Sequence, residues 1–378
     1  MPDTSRVVIV GAGPAGLAVA AGLRRRGISA TLLERGGAVG SNWRSRYDGL
    51  RLNTVRWLSA LPGRPVPRGA GRWVSRDDYV AYLERYADSH RLDIVTQVDV
   101  DRIVPGAGPD RWTLRTSKGD LTAAAVVVAS GPFDEPVVPP WPGIDHYGGD
   151  FAHAAEYRNP GPYRGRHVLV VGGGASGLEI ALLLAEGGAG RVDLSVRSCT
   201  NLFPRQVAGY PLTPLPVTRY APGEPLDVAG AATGSLLGRT WPDPLPRPTA
   251  RLGTALHRDG TEPVVADGIV AALRAGTVNL LPAVAGFTAT TVRLVDGQEV
   301  EPDVVLAATG YRSRVRTLAA ELDVFDDRGH LVRGDGGPCP GAPGVVFVGF
   351  QPAVTGRLPQ MPSQARRAAR TIAAAISR

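Results

Sequence analysis

The chain has 378 residues, 43% hydrophobic and 20% charged, with 48 glycines and 33 prolines scattered among apolar runs; it can bury two ordinary cores and is too apolar to be disordered. The net charge is +7 and almost entirely arginine, Lys118 being the single lysine, and the cations form no long block. That reads as the mark of a GC-rich genome rather than a nucleic-acid surface, and two distant cysteines, Cys199 and Cys339, exclude a local disulfide framework, a C-x-x-C pair and a zinc pattern.

The first strand is expected at Val7–Val10, close enough to the N-terminus to leave no room for a signal peptide. The apolar run 7–23 is broken by glycine and proline, so it reads as strand, turn and helix rather than as a membrane span. A soluble cytoplasmic protein is expected. The turn is Gly11-x-Gly13-x-x-Gly16, with Pro14 and Ala15 opening the helix. Gly11 permits the tight turn, Gly13 lets backbone approach a pyrophosphate, and Gly16 lets the helix pack on the strand. The helix N-terminus offers free N–H groups and the positive end of its dipole. A second strand at Ala30–Leu33 leads to Glu34 and Arg35; Glu34 lies where a carboxylate can take both ribose hydroxyls of a dinucleotide.

Residues 123–143 read as an apolar strand, the turn Ala129-Ser130-Gly131 and a proline-rich exit. The segment 147–160, YGGDFAHAAEYRNP, then joins this unit to a second one and carries His153, Tyr157 and Arg158. The second unit repeats the plan. A strand at His167–Val171 enters Gly172-x-Gly174-x-x-Gly177, with Ala175 and Ser176 inside the motif, and a helix follows. Its next strand, Val192–Val196, ends in Arg197-Ser198 instead of an acid. A guanidinium there can bind a 2′-phosphate bidentately, where a carboxylate would repel it. The first unit therefore suits a dinucleotide with a free ribose and the second suits NADPH. A hydride carrier facing a second dinucleotide points to FAD as its acceptor. Further returns of the chain are expected at Ala308-Thr309-Gly310-Tyr311 and, after a late strand, at Gly349, before a closing helix that contains Gln364.

Together these residues resemble the class B flavoprotein monooxygenases, and within them the flavin-containing and YUCCA-type enzymes. The linker signature reads Tyr147-x-Gly149-x-x-x-His153-x-x-x-Tyr157-Arg158; Tyr157 stands where the Baeyer–Villiger branch has tryptophan. The stretches 42–54 and 260–268 also look like this family. The resemblance implies an α/β fold of two Rossmann-like domains, the NADPH domain inserted in the FAD domain. The FAD domain is expected at 1–154 and 305–378, and the NADPH domain at 155–304. The proline-rich stretch 200–262 is expected near the substrate. The resemblance further implies a C4a-(hydro)peroxyflavin that passes one oxygen atom of O₂ to a small organic substrate.

N- or S-oxygenation is the first expectation, with Baeyer–Villiger insertion and oxidative decarboxylation of a 2-oxo acid as alternatives. An NADPH-dependent flavin or ferredoxin reductase is the alternative outside the family. Asn53 is the expected polar group at the flavin, and His153 the second candidate, as a loop residue setting the angle between the cofactors. Trp43 is expected beside the flavin, and Arg35, Val98, Ala129, Gly131, Thr309, Gly310, Gly349 and Gln364 complete the expected cofactor contacts. No metal, nucleic acid or membrane is expected, and a homodimer is left open.

Overall fold

The computed structural model describes residues 7–377 apart from 107–110, 204, 208, 212–244, 249, 266–267 and 355. Most of the proline-rich stretch expected near the substrate therefore lies outside the described residues. In the first half, β1 (Val7–Val10) leads to α1 (Pro14–Arg24) and β2 (Thr31–Glu34). Then come α2 (Ser41–Arg44), β3 (Arg51–Val55), β4 (Trp73–Ser75), α3 (Arg76–Ser89) and β5 (Asp93–Thr96). Strands β1, β2 and β5 form a five-stranded parallel sheet with Ala125–Val128 and Val345–Phe347. The late strand thus returns to pair with Ala125–Val128, 219 positions before it in register at Val345–Val126.

A second five-stranded parallel sheet has the same plan. Its central strand, His167–Val171, is followed by α4 (Ala175–Glu186) and lies between Val304–Ala307 and Arg191–Ser195. Asn279–Leu281 flanks one side, and Asp150–His153 is the edge strand on the other. The central strands are four and five apolar-rich residues buried almost throughout, as strands covered on both faces must be. Helices cover one face of each sheet. Three-stranded antiparallel meanders, 100–123 and 284–300, cover the other.

The edge strand corrects two expectations. His153 is not a loop histidine but the last residue of a strand, paired with Ala307. Residues 150–153, expected at the end of the first unit, hydrogen-bond into the second sheet. Four residues with one buried position carry too little periodicity to be read as a strand from sequence. The chain passes between the sheets twice, and the two passages are tied: Glu135–Pro136 pairs antiparallel with Tyr311–Arg312.

Two close contacts set the packing. Gly22 of α1 faces the closing helix, Met361–Ile376, where an added Cβ would lie 3.3 Å from the Ala369 methyl. In the second sheet Asp193 is fully buried and accepts from His167 Nε2 at 2.7 Å, Arg191 Nε at 3.0 Å and Asn279 Nδ2 at 3.0 Å. Burial alone would raise its carboxyl; the donors of Arg191, Asn279 and His167 together outweigh it and hold the carboxyl below its ordinary value. A depressed carboxyl stabilises the fold above the unfolded-state value of about 4 and loses that contribution as pH falls further. Asp193→Ala is expected to cost roughly 3 kcal/mol at neutral pH, since it leaves the part-buried His167 and Asn279 donors without their acceptor. Thermal unfolding from pH 7 to 3 checks this: the variant should lose less stability on acidification than the parent. A parallel fall in both would show that Asp193 does not carry the effect.

Candidate cofactor cleft and active site

Both glycine motifs sit at the carboxyl ends of their central strands, and both are shaped by the same steric demand. Gly11 has φ +102°, and a Cβ there would lie 2.6 Å from the Ala129 carbonyl oxygen; at Gly16 it would lie 2.0 Å from the Gly11 oxygen. Gly172 has φ +139°, with the Ala308 oxygen 2.3 Å from such a Cβ, and at Gly177 the Gly172 oxygen would be 1.9 Å away. No side chain fits at any of the four. At Gly13 and Gly174 the same construction meets nothing within 4 Å. That open space lies at the N-termini of α1 and α4, where backbone N–H groups are free for phosphate.

The surroundings of the first cradle fit FAD. Glu34 ends β2 and its carboxylate accepts from the Ala12 N–H at 2.9 Å and the Gly36 N–H at 2.8 Å, which holds it beside the turn. Ser130 Oγ is buried with no hydrogen-bond partner in the turn that leads to Gly131, itself at φ +86°. A buried hydroxyl without a partner is costly unless a ligand satisfies it. Pro14 and Ala15 open α1, and Arg35 pairs with Asp134 at 2.5 Å instead of standing free. Val98 is buried beside Glu34, to whose carbonyl its N–H donates at 3.0 Å. Trp43 packs edge-on against Tyr79 at 4.9 Å.

The second cradle fits NADPH. Arg197 lies just past Arg191–Ser195, exposed, with Ser198 half-buried behind it. No acid occupies the strand end, so a 2′-phosphate would meet a cation there. Ala175 and Ser176 form the first turn of α4. Thr309 and Gly310 do not face only the cleft: Thr309 Oγ1 donates to the Val137 carbonyl at 2.5 Å and the Gly310 carbonyl accepts from Val137 at 3.0 Å. Gly349, at φ +87°, donates its N–H to Gln364 Oε1 at 3.0 Å, and Gln364 Nε2 donates to Gln360. Gln364 is buried with both ends of its amide engaged by protein, so it positions the Gly349 turn.

His153 is 4% exposed, and its Nδ1 accepts the Ala155 N–H at 3.0 Å. An accepting Nδ1 carries no proton, so the neutral ring holds its proton on Nε2, which is buried without a hydrogen-bond partner. Burial lowers the imidazole from its ordinary value, against the opposing pull of the nearby Gly310 carbonyl and Glu156. The ring stands edge-on to Tyr311 at 5.2 Å, and Arg46 lies over the Tyr311 ring at 4.6 Å. Arg158 Nη1 donates to the Ala155 and Tyr157 carbonyls, at 2.7 and 3.0 Å.

Asn53, half-buried on β3, is brought to a residue that the sequence did not single out. Its Oδ1 accepts from Arg205 Nη2 at 3.0 Å, and the Arg205 guanidinium lies over the Trp73 ring at 5.2 Å. Since a guanidinium only donates, this bond fixes the amide and turns its N–H₂ end the other way. The segment bearing Arg205 is docked by Arg72, whose Nη1 donates to the Gly209 carbonyl at 2.8 Å. Close by, Tyr47 donates to Glu179 Oε2 at 2.5 Å. Glu179 is the one acid in the first three turns of a largely apolar α4, which is the signal that could have marked it. Arg205 is marked only by the motif NLFPRQ, whose place in the fold is not readable from spacing.

Arg197→Gln is expected to weaken NADPH binding by roughly 10–100-fold, the value of a charge-assisted hydrogen bond, and to leave NADH binding unchanged. Dissociation constants for both nucleotides check it; an equal loss for both would remove Arg197 from the 2′-phosphate site.

No helix among the described residues is long and apolar enough to cross a membrane. Comparison with known proteins agrees with the two-cradle geometry. The model of the pyridine nucleotide-disulphide oxidoreductase family matches residues 8–215, more than half of the chain. The probable indole-3-pyruvate monooxygenase YUCCA3 of Arabidopsis thaliana is 35% identical over 335 residues, 85% of this chain and 76% of that protein. The indole-3-pyruvate monooxygenase YUCCA1 of Oryza sativa subsp. japonica is 35% identical over 328 residues, 85% of this chain and 80% of that one. Among solved structures, a flavin-containing monooxygenase from Stenotrophomonas maltophilia superposes with a TM-score of 0.74 at 25% identity, covering 98% of this chain and 99% of that one. The chain belongs to the class B flavin monooxygenases, in the flavin-containing and YUCCA-type branch, and is an NADPH-dependent enzyme that carries FAD and transfers one oxygen atom of O₂ to a small molecule.

Proposed function

We propose that this enzyme oxygenates a small carboxylate-bearing substrate, and that its reaction is the oxidative decarboxylation of a 2-oxo acid. The observation that carries this reading is Arg205. It is held on the Trp73 face and bonded to Asn53, the polar group expected at the flavin. A guanidinium oriented by an aromatic face and an amide is suited to bidentate capture of a carboxylate. The names of the YUCCA relatives, indole-3-pyruvate monooxygenases, support the same substrate class. In this reaction one oxygen atom of O₂ joins the former keto carbon and the other leaves as water. The bond to the carboxyl carbon breaks and CO₂ departs, while NADPH supplies the electron pair. Bound FAD supplies the activation of O₂.

The chain's own residues would orient and shield. Arg205 holds the carboxylate. Asn53 presents its N–H₂ end, which donates a hydrogen bond without supplying a proton. His153, neutral and buried at the edge of the second sheet, is read as a positioning group between the cofactors. The domain division follows the two sheets, with the NADPH-binding part inserted in the FAD-binding part; location in the cytoplasm and a homodimer complete the proposal. N- or S-oxygenation fits the same family. An amino acid bearing a thioether would use the same anchor, and the products separate the two: CO₂ from a 2-oxo acid, a sulfoxide from the thioether.

Two variants test the reading. Arg205→Gln should raise KM for phenylpyruvate roughly 100-fold, the cost of leaving a charge partner unpaired, with a smaller effect on kcat. A KM unchanged by this substitution would sink the carboxylate reading. Asn53→Ala should retain FAD and NADPH binding yet release several times more H₂O₂ per NADPH consumed. Parental coupling in that variant would remove Asn53 from the site.

A further inference from the structure

The last turn of the flavin unit is held from two sides. Gly349 follows the strand Val345–Phe347 and stands against the first cradle: a Cβ there would lie 3.4 Å from the Ala15 methyl. From within the unit, Gln364 accepts its N–H. Its carbonyl and that of Phe350 both accept from Arg357 Nη1, at 3.2 and 2.7 Å. The Arg357 guanidinium also lies over the ring of Phe133, just past the Gly131 turn, at 5.4 Å. The acid that balances it comes from the nicotinamide unit. Glu262 Oε1 lies 3.2 Å from Arg357 Nε, and the same oxygen accepts the Ala353 N–H at 3.0 Å.

Glu262 is placed by its own neighbours. The helix Leu252–Asp259 ends at Gly260, φ +64°. Val264–Val265 pairs with Leu202–Phe203, and Val264 is set in the second core. The short connection that carries Glu262 is thus fixed at both ends. Leu252 and Leu256 of the helix pack against Val354. Residues 353–357 of the flavin unit are therefore seated on the nicotinamide unit by an apolar contact, a backbone hydrogen bond and an ion pair.

We propose that Glu262 is a positioning residue for the flavin: reaching from the nicotinamide unit, it aims Arg357, and Arg357 shapes the Gly349 turn at the FAD cradle. One guanidinium nitrogen meets two successive carbonyls only in a narrow range of orientations. The carboxylate on its Nε edge and the Phe133 face set that orientation. Arg357 Nε is buried and makes no aligned hydrogen bond, so the charge of Glu262 is what offsets its removal from water. Without that charge the guanidinium would turn toward solvent and release both carbonyls. Gly349, at φ +87°, has no side chain to keep the turn in place afterwards. FAD affinity is thus linked to the docking of the two units. What loosens the Glu262 contact weakens the flavin site, and FAD binding strengthens the contact in return.

The test measures two dissociation constants: FAD, from the flavin fluorescence released on diluting the holoenzyme, and NADP⁺, with FAD in excess. Glu262→Gln keeps an oxygen for the Ala353 N–H and removes the charge. It should weaken FAD binding roughly tenfold, the scale of one charge-assisted contact, and leave NADP⁺ binding within about twofold of the parent. Arg357→Gln should do the same. The double variant should bind FAD no more weakly than Arg357→Gln alone, since the two side chains act as one device. Arg357→Lys keeps the charge but lacks the planar fork; it should also lose FAD affinity about tenfold, and it provides the reading if Glu262→Gln does not fold. Parental FAD affinity in Glu262→Gln or in Arg357→Lys would overturn the proposal, as would losses that multiply in the double variant. Equal weakening of FAD and NADP⁺ would mark a general loosening of the fold and overturn it too.

Discussion

A single steric constraint organises the molecule: at each glycine motif a backbone carbonyl oxygen fills the space that a Cβ would need. At Gly16 and Gly177 the clearance is 2.0 and 1.9 Å, well inside any contact a side chain tolerates. The constraint brings helix and strand together, and that closeness points the free N–H groups of the helix at one spot above the sheet. Because Ala129 and Ala308 supply the matching carbonyls at Gly11 and Gly172, each cradle also fixes the neighbouring strand. Sheet, helix and phosphate site are thus one unit made twice.

What the two units do together depends on polar contacts between them. Tyr47 reaches Glu179, the Asp48 N–H donates to the Arg158 carbonyl at 2.8 Å, and Asn159 donates to the Asp48 carboxylate at 2.9 Å. On another side Glu262 accepts from the Ala353 N–H at 3.0 Å and pairs with Arg357 at 3.2 Å. Each is modest taken alone, since a hydrogen bond within the protein replaces one to water. Several of them are partly buried, however, and burial makes an unmade bond costly. The cleft is therefore held by contacts whose loss is penalised more than their presence is rewarded.

The cradles were legible in the sequence because sterics there restrict residue type: only glycine fits, and the spacing is set by one turn and one helix. The positions of Glu34 and Arg197 were legible for a related reason, each standing at or just past the end of a strand whose length is short and regular. Asp150–His153 was not legible, because an edge strand of four residues with mixed burial has no pattern strong enough to separate it from a loop. Arg205 and Glu179 were hidden for a different reason. Asn53 and Arg205 are 152 positions apart, and Tyr47 and Glu179 are 132 apart. Nothing local in either segment encodes such a meeting; it follows from how two separately legible units dock.

The paired passage between the sheets bears on how the enzyme moves. Both crossings run side by side as a short antiparallel ribbon, Glu135–Pro136 against Tyr311–Arg312, with Thr309 fastened to Val137 just before it. A single strand could swivel freely about its own bonds. Two strands fastened edge to edge resist twisting and slide, and they yield most readily by bending across their common plane. The ribbon thereby stands with the polar contacts as one of the ties between the nicotinamide unit and the flavin unit. Tyr311 is both a ribbon residue and the ring beneath Arg46 and beside His153, so bending of the ribbon would be felt at that histidine.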